Sequence, residues 1–290
     1  MDQGKTFEAH RGRLWRVAYR MLGARAEADD VVQEAYLRWH RTSQDEIQSP
    51  EAWLVTTATR LALDRLRQLR AQREVYIGPW LPEPLVTDAL PGADAAAELA
   101  SDLSLAFLTV LERLTPDERA AFLLQEVFDT GYADIAKVLG KSEAACRQIV
   151  SRARKRVREE RPRVKVSADA KARMVERFIH AIRAQDREAM LSLLAEEVSW
   201  TSDGGGRAKA ALKVLRGREK VARFATGVYR KLVDRLEFRP IVVNEEPGVA
   251  TFLDGEPFSV VALNTDGQRI LDVYAVLNPE KLLGARPAKR

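Results

Sequence analysis

The sequence predicts a multi-domain fold: two all-α helical modules, the second a helix-turn-helix, followed by an α+β domain with a curved antiparallel sheet. Three observations carry that reading. Apolar residues recur at helical spacing from Phe7 to Val157, broken by a proline-rich stretch at 78–85. A short helix, a turn at Gly140 and a basic helix follow one another between 132 and 158. Beyond Leu236 the apolar period falls to two, and Asp254-Gly255 and Asp266-Gly267 separate the runs as hairpin turns.

The first module, 1–75, reads as three helices. Phe7, Leu14, Val17, Ala18 and Met21 place one apolar face on a helix over 7–22, which Gly23 ends. A second helix over 26–41 opens with acids that suit a helix N-terminus, among them Asp29, Asp30 and Glu34. Those acids also suit a face for a basic protein partner. After a polar loop at 42–50, Pro50 starts a third helix to about Glu74. Trp53, Leu54, Thr57, Ala58, Leu61, Ala62, Leu66 and Leu69 form its apolar side. Arg60, Arg65, Arg67, Arg70 and Arg73 line the rest, opposed within the run by Asp64. Trp15, Trp39 and Trp53 have rings that can stack on bases, but they sit on helical stripes, which favours core packing.

A linker follows over 76–101. Pro79, Pro82 and Pro84 forbid a regular helix there, and from Pro79 to Asp102 the chain has acids but no Lys or Arg. As an extended spacer of about 3.1 Å per residue it reaches roughly 60 Å. One DNA turn is about 34 Å, so two basic helices joined this way can sit on sites more than a turn apart.

The second module, 102–162, holds the helix-turn-helix. Thr115, Pro116 and Glu118 have capping-box spacing, and Gly140 ends the helix after Leu139. Ser142 is placed to cap the last helix. Cys146, Ile149, Val150, Ala153 and Val157 form its buried stripe. Arg147, Gln148, Ser151, Arg154, Lys155 and Arg158 lie on the other faces. A charge run is usually a solvated face, but this one follows a helix-turn-helix and reads as DNA-binding.

The 290 residues carry 47 Lys and Arg against 42 Asp and Glu, a net charge of +5. That surplus permits nucleic-acid binding without demanding it. The lone Cys146 excludes an internal disulfide and fits a reducing compartment. Met1-Asp2-Gln3-Gly4-Lys5 leads into no apolar signal core, and no apolar run approaches the ~18 residues that span a bilayer. A cytoplasmic protein without membrane contact is expected. No cofactor or metal-ligand cluster is expected.

The order Ala28-Asp29-Asp30-Val31-Val32-Gln33-Glu34-Ala35-Tyr36-Leu37, Trp53-Leu54, Leu63-Asp64-Arg65-Leu66-Arg67 and the 114–158 helix-turn-helix resembles a bacterial sigma factor of the extracytoplasmic-function group. In that resemblance 7–74 is region 2 and 102–160 is region 4. It implies core RNA polymerase and promoter DNA as partners. Asp30, Gln33 and Glu34 lie where the family contacts polymerase. The 42–50 loop and the start of the third helix lie where it reads the melted −10 strand, which implicates Thr56, Thr57, Arg60, Asp64 and Arg67. Arg60 stands where the commoner pattern has Asn. Ser142, Arg147, Gln148, Ser151 and Arg152 lie on the helix that enters the −35 major groove, with Arg154 and Lys155 on phosphates.

The remaining block, 167–290, reads as helices at 168–185, 187–196 and 217–232, a short strand at 198–201, and strands at 236–243, 249–253, 258–263 and 270–277. It resembles the cone-shaped SnoaL-like, nuclear-transport-factor-like domain. Trp80-Leu81-Pro82-Glu83-Pro84, Asp203-Gly204-Gly205-Gly206-Arg207 and Asn278-Pro279-Glu280-Lys281-Leu282 narrow the likeness to sigma factors fused to that domain, in which it regulates the same chain. Glu280 stands where Asp is expected. Three glycines let another backbone approach closely, and no phosphate-loop Lys-Ser/Thr follows them. The expected contact is intramolecular, between the glycine loop with Asn278, Pro279, Lys281 and Leu282, and the linker or regions 2 and 4. No catalytic residue is expected: His180 reads as a packing or surface residue, and Asp272 with Tyr274 is too little for a reaction. Two other readings stay open, a ligand-sensing DNA-binding regulator and a SnoaL-like enzyme fused to a DNA-binding module. An unidentified small-molecule ligand stays open too.

Overall fold

The computed structural model describes residues 3–43, 47–87, 103–160, 166–228, 230 and 232–285. Most of the acidic linker (88–102) and Arg161 lie outside them. The chain divides into two compact units, 1–75 with 108–161 and 76–107 with 162–290.

In the first unit the helices are α1 (Gln3–Leu22), α2 (Arg25–Arg41), α3 (Pro50–Arg73), α4 (Leu105–Glu112, from Leu108 on), α5 (Pro116–Glu126), α6 (Tyr132–Leu139) and α7 (Glu143–Glu160). Local chemistry sets their ends. Gly23 at φ +68° stops α1. Ser49 accepts from Ala52 N at 3.3 Å with Pro50 at the first position of α3. Thr115 and Glu118 close a reciprocal capping box on α5. Gly140 caps α6 in the left-handed region, φ +64°, and Ser142 accepts from Ala145 N at 3.2 Å to open α7. The stripe Cys146, Ile149, Val150, Ala153 and Val157 is buried as its spacing requires. Trp39 is fully buried and packs on the half-buried Trp53, while Trp15 stacks on Tyr19 and donates to Asp29 at 2.7 Å.

The second unit is a seven-stranded sheet with helices α8 (Ala168–Arg183), α9 (Arg187–Leu193) and α10 (Arg218–Val228). Its strands are β1 (Val86–Thr87), β2 (Leu194–Asp203), β3 (Leu215–Arg216), β4 (Leu236–Val243), β5 (Glu246–Leu253), β6 (Glu256–Thr265) and β7 (Ile270–Val276), ordered β1-β4-β5-β6-β7-β2-β3. β4 to β7 form the expected antiparallel meander. The β2–β7 pair is parallel, because β2 comes before the helix-and-meander excursion that delivers β7 beside it. β2 runs ten residues where the sequence suggests a short strand, and α9 stops at Leu193 because Leu194 is already extended, at φ −87° and ψ 142°. α8 and α10 are also shorter than their periodicity suggests. β5 starts at Glu246 because Asn244 and Glu245 both take positive φ, +52° and +66°, and form a two-residue hairpin turn. The Asp266 turn spans four residues, with its carboxylate accepting from Gln268 N and Arg269 N.

The linker is not a free spacer throughout. Val86 and Thr87 pair with Val243 and Val242, so residues from the connector extend the sheet at the β4 edge. Leu81 and Leu105 are buried with Val243, Ala250, Phe252 and Leu282 on one face. On the other face α8, α9 and α10 pack over Trp200, Val249, Val261 and Val273.

Candidate nucleic-acid interface and connector clasp

On α7 the helical period sends one stripe inward and leaves Arg147, Gln148, Ser151, Arg152 and Lys155 exposed on the far side. Arg147 bonds Glu143 one turn earlier at 2.8 Å, an exposed pair worth a few tenths of a kcal/mol, and its guanidinium lies 5.1 Å from the Tyr132 ring centroid. Lys155 approaches Glu159 at 3.9 Å and is 79% exposed. Arg154 differs. It is half-buried, and its bond to Glu126 at 2.5 Å raises its pKa. Burial raises the pKa of the Cys146 thiol, which faces the interior.

The arginines of α3 are held by the protein itself. Arg60 Nη2 donates to Lys137 O at 2.5 Å. Arg67 donates to Asp64 at 3.1 Å and to Asp117 at 2.9 Å. Arg65 clasps Glu27, a hydrogen bond that raises its pKa. Arg70 donates to Leu114 O. Arg73 donates to Leu22 O at 2.7 Å and to Glu112 at 2.5 Å. Glu112 also accepts from Arg119, which is fully buried and donates to Met21 O at 2.8 Å. Burial pushes the Glu112 carboxyl up, but Arg119 and Arg73 outweigh it and the net shift is down. Burial lowers the pKa of Arg73, and Glu112 opposes that. Thr56 and Thr57 are half-buried on α3 near its N-terminus, and Asp64 is exposed.

On α2, Asp30 and Gln33 are exposed and Glu34 is half-exposed, paired to Arg38 at 2.9 Å. Tyr36 and Leu37 are exposed beside them, at 39% and 40%. Tyr36 also meets Phe7 and His40 edge to face, with centroids 5.0 and 4.4 Å away.

In the second unit the three short motifs converge on one carboxylate. Asp203 is fully buried. Its Oδ1 accepts from Tyr76 Oη at 2.6 Å; its Oδ2 accepts from Leu81 N at 2.8 Å and from Lys281 Nζ at 2.7 Å. Lys281 also donates to Leu81 O at 2.5 Å and lies 4.1 Å from the Trp80 ring centroid. Asn278 Nδ2 donates to Tyr76 Oη at 3.0 Å, while its Oδ1 accepts from Glu280 N at 3.1 Å. Arg207 and Glu280 form a salt bridge at 2.8 Å. Burial, reinforced by Asp203, pushes the Tyr76 phenol up and keeps it a neutral donor. The glycines are needed sterically. Gly205 and Gly206 have φ +57° and +71°. A Cβ on Gly205 would lie 2.9 Å from Tyr76 Oη, and one on Gly206 would lie 2.8 Å from Ile77 Cδ1. Further along, Leu85 N donates to Asn244 Oδ1 at 3.0 Å and Asn244 N donates to Leu85 O at 2.8 Å, which docks β1.

Comparison with known proteins agrees with this architecture. Residues 6–72 match the model for Sigma-70 region 2, 104–157 that for Sigma-70 region 4, and 175–276 that for the SnoaL-like domain. The chain is 39% identical to the ECF RNA polymerase sigma factor SigJ of Mycobacterium tuberculosis, over 96% of this chain and 93% of that one. The chain belongs to the extracytoplasmic-function sigma factors. It is also 30% identical to the probable ECF RNA polymerase sigma factor SigI of the same organism, over 95% of this chain and 93% of that one. The crystal structure of Mycobacterium tuberculosis SigJ superposes with a TM-score of 0.77 at 38% identity, covering 98% of this chain and 99% of that one.

In this sigma factor Trp80, Leu81, Asp203, Gly205, Asn278, Lys281 and Leu282 come together. Pro82 and Pro84 are buried in the connector, Glu83 is half-buried, Gly204 packs on Ala208, and Pro279 is exposed at the start of a short 3-10 turn. Sequence reading misses Tyr76, Asn244, Glu112 and Arg119. Tyr76 had a signal, an aromatic two residues before Gly78-Pro79. Asn244-Glu245 had none, because it is not one of the common turn dipeptides. Glu112 and Arg119 look like surface charges until the fold buries them.

Proposed function

We propose that this sigma factor is regulated by its own C-terminal domain through the Asp203 clasp. As a sigma factor the protein directs promoter-specific initiation with core RNA polymerase. In our reading Asp30, Gln33 and Glu34 face polymerase. Thr56, Thr57, Arg60, Asp64 and Arg67 serve the −10 strand. Ser142, Arg147, Gln148, Ser151 and Arg152 serve the −35 groove, with Lys155 on phosphate and Arg154 released to phosphate when it leaves Glu126. The single observation behind the regulatory reading is a fully buried Asp203 that takes donors from Tyr76, Leu81 and Lys281. Holding 76–87 on the C-terminal sheet withdraws roughly 40 Å of extended reach, at about 3.1 Å per residue, from the tether between regions 2 and 4. A shortened tether disfavours two contacts more than a DNA turn apart.

The α3 contacts point the same way. Arg60 and Arg67 cannot hold Lys137 O and Asp117 and also hold a DNA strand, so loading on a promoter requires region 4 to leave α3. We assign the protein to the cytoplasm with polymerase; among the described residues no helix is long and apolar enough to cross a membrane. We also read the C-terminal domain as regulatory rather than catalytic. Asp272 is held by Ser199 at 2.6 Å and Asn264 at 2.8 Å, and His180 is exposed on α8.

The test is multi-round transcription from a cognate promoter with purified core polymerase and full-length protein. Asp203→Ala and Lys281→Ala are expected to change output severalfold relative to wild type, at equal affinity for core. Unchanged output from both variants refutes the clasp as a regulator.

A further inference from the structure

A cavity of about 240 Å³ lies on the helix-covered face of the C-terminal sheet. Trp200 and Ser202 of β2, Phe224 of α10, Ala275 of β7, Leu277 and Lys209 line it. Trp200 and Phe224 meet edge to face, with centroids 5.5 Å apart at 75°, so the apolar wall is partly aromatic.

Ser202 is the informative group. It is 2% exposed, and its Oγ lies 2.9 Å from Trp200 Nε1. An indole N–H can only donate, so the serine oxygen is the acceptor in that bond. The hydroxyl proton then has no acceptor among the described residues. Buried polar groups are nearly always satisfied, and an unmade hydrogen bond in such a place points to an oxygen that occupies the cavity. Lys209 is exposed at the mouth and makes no ion pair among the described residues. A cavity of roughly 150 Å³ holds benzene. This one therefore takes a single ring with a short arm.

We propose that the cavity binds a small monocyclic aromatic carboxylate, with an acceptor oxygen on the Ser202 hydroxyl and its charge toward Lys209, and that occupancy is transmitted to the connector clasp. The route is short. Ser202 precedes Asp203 in β2, and the two side chains leave opposite faces of the strand. Leu277 N and Asn278 N both donate to Asp203 O, at 2.7 and 2.9 Å. A ligand packed against Ser202 and Leu277 stiffens the strand ends that present Asp203 and Asn278 to Tyr76 and Leu81. This second half rests on the clasp reading above; the binding half does not.

Phenylacetate and its neutral isostere phenylacetamide are suitable probes, titrated calorimetrically into the full-length protein without polymerase. Saturable binding of phenylacetate is expected. Ser202→Ala should weaken it about fivefold, the worth of one hydrogen bond. Ala275→Leu should abolish it by filling the cavity. Lys209→Glu, an exposed change that leaves the fold intact, should weaken phenylacetate about threefold or more and leave phenylacetamide unaffected. Saturating probe should also slow hydrogen exchange at the Leu81 and Leu85 amides. No saturable binding of either probe overturns the proposal, as does binding that Ala275→Leu and Lys209→Glu leave unchanged. A bound probe with unchanged exchange at Leu81 overturns the transmission. Because binding is read without polymerase, its failure leaves the Asp203→Ala transcription result standing, and the reverse also holds.

Discussion

Helices α3 and α7 carry similar runs of arginine, yet the fold ties up all of those on α3 and only some of those on α7, among them Arg154 on Glu126 and Arg156 on Glu118. In α7 the cations at 147, 152 and 155 remain exposed, and their bonds are to near neighbours or long. In α3 the arginines at 60, 65, 67, 70 and 73 all reach protein acceptors, several on region 4. A basic helix is therefore not by itself a free DNA-binding surface. Its availability depends on which carbonyls and carboxylates the tertiary structure brings within reach.

The sharpest way to break this contrast is at Glu112. Glu112→Gln removes the countercharge of Arg73 and of the fully buried Arg119, whose Nε and Nη2 lack partners among the described residues. Leaving a buried cation unpaired costs about 3–5 kcal/mol, and urea unfolding should show a loss of that size. A lysine on the exposed face of α7, such as Lys155→Ala, should change stability by under about 0.5 kcal/mol in the same assay. The Glu112 contribution also has a pH signature. Its folded pKa is depressed, so the stabilisation is present above the ordinary value of 4.5 and is lost as pH falls through and below it. The gap in urea midpoint between wild type and Glu112→Gln should stay constant from about pH 7 down to about pH 5 and narrow as the pH falls through and below the ordinary value of 4.5.

Next in size are the base contacts assigned to α7. Arg147→Ala should cost about 1–3 kcal/mol of discrimination at one −35 position, read by holoenzyme binding to a set of single-base promoter variants. Equal losses on every variant would reassign Arg147 to phosphate. Lys155→Ala should weaken holoenzyme binding to all those promoters alike and lower the salt slope by about 0.9. A modest effect is also expected at Asp117, which holds Arg67 at 2.9 Å and Lys141 at 3.3 Å in half-exposed pairs. Asp117→Ala should cost no more than about 1 kcal/mol of stability and should raise duplex binding by the free protein slightly. A large rise would mean that this one pair, rather than the whole set, keeps α3 covered.

Most of the helical architecture was legible in the sequence because it is written in local chemistry. The Thr115–Glu118 capping box, the stop at Gly140 and the inward stripe on α7 involve residues within one or two turns of each other. The meander from β4 to β7 was legible for a similar reason, since Asp254-Gly255 and the period of two are short-range signals. The parallel β2–β7 pair, the docking of Val86 and Thr87 on β4 and the paired hydrogen bonds between Asn244 and Leu85 were not, because each joins segments far apart in the chain. Trp80-Leu81, Asp203–Arg207 and Asn278–Leu282 stood out as motifs. Tyr76 and the cavity beside Ser202 did not.

The sequence alone determined which segments coil, where they stop and which side of each is apolar, since these follow from spacing and from single-residue conformational preferences. Only the tertiary structure decided which charges are usable. It tied the arginines of α3 to acceptors on other elements and left Arg147 and Arg152 of α7 largely in solvent, and it drew three distant motifs onto one buried carboxylate. The physical reason is that the energy of a charge is set by its neighbours and by its exposure to water, and folding brings those neighbours from other parts of the chain.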